Sequence, residues 1–197
     1  MSDESSTTDL PRGLRLRPAG PDDVDAVVAL VQRAYRGDAS RAGWTTEADL
    51  LDGQRTDADA VGELVGEPRS AVLLLVGEDD APVACCHVAA RLRAEGMAGD
   101  DVVGYLGMLA VDPARQGDGT GRALLAAASR HAAQDLDARV LEMTVIAQRT
   151  ELIGWYERQG WERTGERRPF PYGDERFGRP RRDDLEFVVL AREAAEV

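Results

Sequence analysis

The stretch that most constrains this chain runs from Gly104 to Leu125, GYLGMLAVDPARQGDGTGRALL. An apolar run ends at Val111, Asp112-Pro113 supplies a turn, and Gln116-Gly117-Asp118-Gly119-Thr120-Gly121 opens an alanine- and leucine-rich helical segment. Three glycines within five residues are a costly way to begin a helix, because glycine loses more backbone freedom on folding than any other residue. A ligand gives the pattern its reason. The first turn of a helix leaves N–H groups unpaired and carries partial positive charge, and residues without side chains let an anion approach them. Strand, glycine loop and helix start, in that order, predict a phosphate-binding site.

Two common phosphate binders are excluded. A P-loop needs a lysine after its last glycine, and the sequence contains no lysine at all. The dinucleotide pattern G-x-G-x-x-G/A fails from either start: from Gly119 the third position is Leu124, and from Gly117 it is Arg122. The pattern that fits is Q/R-x-x-G-x-G/A, filled by Gln116, Gly119 and Gly121, and it follows an L-x-V-x-P run in Leu109-Ala110-Val111-Asp112-Pro113. In these residues the sequence resembles the GNAT superfamily, the acyl-CoA-dependent N-acyltransferases. A second stretch, Arg149 to Trp161, is similar to that superfamily's N-x-x-A-x-x-[LF]-Y-x-x-x-G-[FY]. Tyr156 and Gly160 match and Trp161 keeps the aromatic character. Arg149, Leu152 and Trp155 stand where asparagine, alanine and leucine or phenylalanine are usual.

The resemblance covers roughly residues 13–191 and implies an α/β fold with a central, mixed, mostly antiparallel sheet of six to seven strands flanked by about four helices. It implies acetyl-CoA as cosubstrate, and two histidines and two cysteines without metal-ligand spacing lead us to expect no metal. The coenzyme would be held by Leu109, Ala110 and Val111 on the central strand and by Gln116, Gly117, Asp118, Gly119, Thr120, Gly121 and Arg122 in the loop. Tyr156 would be the general acid that protonates the departing thiolate, the Leu109 amide would stabilise the oxyanion, and Val111 would bond the pantetheine arm. The acceptor would be a primary amine of a small molecule or peptide, bordered by the region after the first helix. Trp44, Glu47 and Arg55 are therefore candidates for its pocket, with Phe170 from a later loop. A coenzyme-sensing module without catalysis, a longer acyl group and an O-acceptor are the alternatives.

The general base stays open. Val102 to Val111 contains no carboxylate, which leaves Glu142, Glu47 and His87, or a water chain acting on an amine whose pKa desolvation has lowered. Histidine on an apolar strand reads more readily as a core residue.

The remaining chain is organised around that core. Residues 1–12, MSDESSTTDLPR, lack apolar surface to bury and read as a flexible acidic tail, followed by one domain over 13–197. A strand is expected over Leu14–Arg17 and a helix after Pro21, carrying Val24, Val27, Val28, Val31, Ala34 and Tyr35 on one face. Thr46 is placed to cap a short helix bearing Leu50 and Leu51, broken by Gly53, and a second runs over about 57–65. Strands follow at Ser70–Val76, Val83–Arg93 and Asp101–Val111, then a helix from Gly119 to Leu136, a strand at Val140–Ile146, a helix at Thr150–Gln159, and strands at Trp161–Arg167 and Asp184–Leu190. The long connection from Arg168 to Pro180, rich in arginine, proline and aromatics, fits a lid, a binding loop or a homodimer contact equally.

Net charge is -12, which argues against a nucleic-acid partner and leans toward a cationic substrate. No signal peptide and no run of roughly 18 apolar residues is present, so no membrane is expected and the expected compartment is the cytoplasm. Cys85 and Cys86 are adjacent on a predicted strand, point to opposite faces and cannot easily pair with each other.

Overall fold

The computed structural model describes residues 10–92 and 102–194. Most of the expected acidic tail, Arg93 and Asp101 lie outside the described residues. Leu10 packs against the core.

The strands are β1 (Arg15–Pro18), β2 (Leu51–Asp52), β3 (Ser70–Val76), β4 (Pro82–Leu92), β5 (Val102–Val111), β6 (Val140–Ile146), β7 (Glu162–Pro169), β8 (Arg179–Pro180) and β9 (Glu186–Glu193). Seven of them form one sheet in the order β1-β3-β4-β5-β6-β9-β7, and β2 with β8 makes a separate ribbon. All pairings are antiparallel except β5 with β6. The helices are α1 (Val24–Tyr35), the single turn α2 (Gly37–Ser40), α3 (Ala58–Gly66), α4 (Thr120–Gln134) and α5 (Thr150–Glu157).

Cys85 and Cys86 show how the layers are arranged. On one face of the sheet, Cys85 joins Val72, Leu74 and Ala110 beneath Val27, Leu30 and Val31 of α1 and Val61 of α3. On the other, Cys86 joins Leu106 and Leu141 beneath Leu124, Leu125 and Ala128 of α4 and Ile153 of α5. The apolar spacing in each helix thus reaches one sheet face, and the alternation of the strand serves both. The two thiols are free and buried, and burial pushes both upward, Cys85 to about 12, which leaves them unreactive. Gly104 lets α4 come close to β5, since a Cβ there would lie 2.8 Å from that of Ala132.

One expected element is absent. Thr46 does accept from the Ala48 N–H (3.0 Å), but it caps a turn in which the Glu47 carbonyl receives the N–H groups of Leu50 and Leu51. Leu51 and Asp52 then extend to pair with Pro180 and Arg179. A helix of so few residues before Gly53 cannot recover its nucleation cost, whereas extension buries Leu51 against Ile146, Phe170 and Leu185. The neighbouring helix forms as expected, with the Asp57 carboxylate accepting from the Ala60 N–H.

Candidate active site

The site is built on β5. Ala110 faces Cys85 and Gly107 faces His87, so Met108 and Leu109 together oppose Cys86 in a β-bulge. Met108 adopts a φ of 48°, a left-handed conformation that costs a side-chain-bearing residue about 1–2 kcal/mol. On its other edge β5 pairs with β6 only from Val103 to Tyr105 against Val140 to Glu142. Past that point the strands part.

An inner cavity of about 160 Å³ occupies the gap, with Met108 and Leu109 on one side, Met143 and Thr144 on the other, and Tyr156 of α5 beside them. An outer cleft of about 330 Å³ lies over the start of α4, between the end of β5 and the glycine loop. The two share Tyr35, Leu109, Arg149 and Leu152. A molecule lying along the cleft therefore has one end at the loop and the other at the cavity.

Of the expected coenzyme residues, Leu109, Ala110, Val111, Gln116, Gly117, Gly119, Gly121 and Arg122 line the outer cleft. Gly117 and Gly119 have φ of 90° and 93°, conformations that side-chain-bearing residues rarely adopt, so the bare loop is a backbone requirement as well as an open approach. Gln116 accepts from the Trp44 N–H (3.0 Å) and donates to the Val111 carbonyl (3.2 Å), tying the loop to the segment after α2. Asp118 and Thr120 do not line the cleft. The Asp118 carboxylate accepts from the Thr120 N–H (2.9 Å) and hydroxyl (2.6 Å) and pairs with Arg115 (3.0 Å), so these side chains are tied to one another at the start of α4.

The acceptor candidates divide. Glu47 and Arg55 line the inner cavity. Trp44 is exposed and stands at the outer cleft with its ring 6.3 Å from that of Trp155, not at the inner cavity. Phe170 is buried with Leu51, Ile146 and Leu185 and lines neither space, because the β2–β8 ribbon folds the long loop back onto the domain. Phe177 of the same loop lines the cavity instead.

Glu47 is the centre of a charge cluster. Its Oε1 accepts from Arg149 Nη1 (2.8 Å), its Oε2 accepts from Arg36, and Arg55 Nε stands 3.7 Å away. Burial pushes the Glu47 pKa up, but Arg149, Arg55 and Arg36 outweigh it and hold the carboxyl below its ordinary value. Arg149 also donates from Nη2 to Thr45 Oγ1 (2.9 Å).

Tyr156 is buried beside Trp155 and Trp161, and among the described residues its hydroxyl has no hydrogen-bond partner. Burial raises its pKa, so it holds its proton at neutral pH. The Leu109 carbonyl accepts from the Tyr35 hydroxyl (2.7 Å), which fixes the bulge against α1. Neither Glu142 nor His87 lines either space. Glu142 pairs with Arg168 at 2.9 Å. His87 is buried, lies 3.0 Å from Ser70 Oγ, and has its pKa lowered by burial and by Arg91 to about 4. Among the described residues, no group of three or more His, Cys, Asp or Glu could hold a metal ion, and no helix is long and apolar enough to cross a membrane.

Sequence reasoning misses Arg36, Tyr35 and Tyr105 as parts of the site. Arg36 follows the apolar face of α1 with no pattern of its own, and Tyr35 reads as one more member of that face. The Tyr105 hydroxyl lies 3.3 Å from Thr144 Oγ1, two residues beyond its β6 partner Glu142, a cross-strand contact that only the register of β5 on β6 reveals.

Residues 69–163 match the family model described as an acetyltransferase (GNAT) domain. A search of curated proteins found no match in sequence. Among solved structures, the chain is similar to Arabidopsis thaliana NAA60 in complex with a bisubstrate analogue, at 14% identity and a TM-score of 0.67 over 92% of this chain and 99% of that one. It is also similar to the ribosomal-protein-S18-alanine N-acetyltransferase of Escherichia coli, at 18% identity and a TM-score of 0.61 over 93% and 96% of the two chains. A nourseothricin acetyltransferase aligns at 19% identity and a TM-score of 0.62 over 93% and 100%. At these identities the three establish the shared fold.

Proposed function

We propose, on the match of residues 69–163 to a GNAT acetyltransferase domain, that the chain is an acetyl-CoA-dependent acetyltransferase of that superfamily and that it moves the acetyl group to a primary amine by direct attack, with Tyr156 as general acid. The observation that carries this reading is the meeting of the outer cleft and the inner cavity at Leu109, with Tyr156 on the inner side.

The outer cleft fits the coenzyme on its own terms. The side-chain-free Gly117 and Gly119, the start of α4 and the Arg122 and Arg158 side chains offer amides and positive charge to a pyrophosphate. Bound there, acetyl-CoA supplies the activated thioester. The Leu109 amide, at the bulge, stabilises the charge that develops on the carbonyl oxygen. The amine nitrogen forms its bond to the acetyl carbon as the C–S bond breaks, Tyr156 gives its proton to the sulfur, and the proton lost by the amine restores the tyrosine through solvent. Glu47, ionised and held by arginines, is a weak base, while Glu142 and His87 stand away from the cavity. Water therefore takes the amine's proton.

The test is acetyl-CoA consumption against an amine panel, with the product identified by mass spectrometry. Thiol release matched one for one by N-acetylated amine supports the reading. Tight acetyl-CoA binding with no acetyl transfer to any amine would favour the sensing module instead.

A further inference from the structure

The inner cavity carries more positive charge than its own residues neutralise. Its lining holds two cations, Arg55 and Arg149, against Glu47, the one acid among its described lining residues, and Glu47 is already paired from outside the cavity with Arg36. Arg36 and Arg149 are 3% and 9% exposed, and each keeps a buried Nε without a hydrogen-bond partner. Arg55 is freer still. Its guanidinium makes no hydrogen bond among the described residues, only the 3.7 Å ion pair, and it lines the inner cavity but not the outer cleft. The Arg55 and Arg149 guanidinium carbons lie 5.2 and 5.5 Å from the centre of the same Tyr35 ring, and both residues line the inner cavity. Uncompensated charge in a dry site is expensive, and a ligand that completes the pairing recovers that cost.

We infer that the acceptor is a small amine bearing a carboxylate, an amino-acid-like molecule whose anionic end is held by Arg55 and Arg149 while its amine faces the thioester. This rests on the reading of the inner cavity as the acceptor site. It sets aside the cationic acceptor that the overall charge of -12 would favour, because the charge facing the cavity has the opposite sign from the charge of the chain. Coenzyme phosphates do not account for Arg55, since Arg122 and Arg158 stand at the glycine loop and Arg55 does not. The cavity's volume of about 160 Å³ restricts the molecule to a few heavy atoms beyond the amine and carboxylate. The Tyr105 and Thr144 hydroxyls on its wall supply further polar contacts.

The experiment is a calorimetric titration of the protein saturated with coenzyme A, using α- and ω-amino acids, each beside its carboxamide and its decarboxylated amine. At least one amino acid should bind about 10- to 100-fold more tightly than its carboxamide, the worth of a charge-assisted hydrogen bond. Arg55→Gln should remove most of that ratio while leaving acetyl-CoA affinity and melting temperature unchanged, and Arg55→Lys should keep part of it. Equal or tighter binding of the neutral or cationic members, failure of every amino acid to bind at millimolar concentration, or an unchanged ratio in Arg55→Gln would overturn the inference. Should acetyl transfer proceed only to amines without a carboxylate, the acetyltransferase reading stands and this one falls. Should the protein not bind acetyl-CoA, the reading beneath it falls.

Discussion

Glu47 carries the heaviest structural duty of any single side chain in the site. Its carboxylate is 5% exposed and holds together three guanidinium groups that would otherwise repel one another in a poorly hydrated space. Removing the one anion leaves three cations uncompensated, at a cost of about 3–5 kcal/mol, whereas removing the loosely paired Arg55 relieves repulsion between like charges. Glu47→Gln should therefore lower stability by that amount in urea titrations without ligand. His87 contributes in the other direction. Its folded pKa, about 4, lies below the ordinary 6.5, so the unfolded chain takes up the proton first. Stability supplied by the neutral ring is complete above pH 6.5 and is lost as pH falls toward 4, by up to about 3 kcal/mol. His87→Leu should flatten that part of the stability profile, and an unchanged slope would assign the acid sensitivity to carboxylates. That Tyr156 lies beside the cavity was legible from its motif, because a tyrosine four residues before a glycine is a local pattern. The arginine cluster was not, because Arg36, Arg55 and Arg149 are distant in sequence and only the packing of α1, the turn at 47–50 and the start of α5 brings them together.

At the scale of elements, the strand–loop–helix unit from β5 to α4 is where sequence and structure agree most closely. Its signals are strong and local: an apolar run, a turn, and glycines at positions with φ near 90°. Gly119→Asp should abolish measurable acetyl-CoA binding in a protein that still melts cooperatively. A carboxylate about 4 Å from a pyrophosphate charge costs about 4 kcal/mol at a partly screened dielectric, close to a thousand-fold in affinity. Unchanged affinity would place the coenzyme elsewhere. The β2–β8 ribbon was invisible by contrast. Two residues per strand carry no periodicity, and the pairing joins segments more than a hundred residues apart. That ribbon is also why Phe170 and Phe177, neighbours in the same loop, end in different places, one in the core and one at the cavity.

The whole molecule divides its work along one strand. β5 meets β4 through a bulge and leaves β6 after three residue pairs, so a single sheet opens into an outer cleft and an inner cavity. The account's central claim is that these spaces act in one reaction, the outer binding and the inner performing the chemistry. The most direct measurement is acetyl-CoA affinity and kcat in Tyr156→Phe. The ring keeps its contacts with Trp155 and Trp161, so melting temperature and acetyl-CoA affinity should hold. Turnover should fall by roughly 10²–10⁴-fold, the worth of a positioned proton donor. A kcat near that of wild type would contradict the account, since water would then protonate the thiolate. Affinity lost in step with turnover would contradict it equally, because the hydroxyl would be a binding contact and the division between cleft and cavity would not exist.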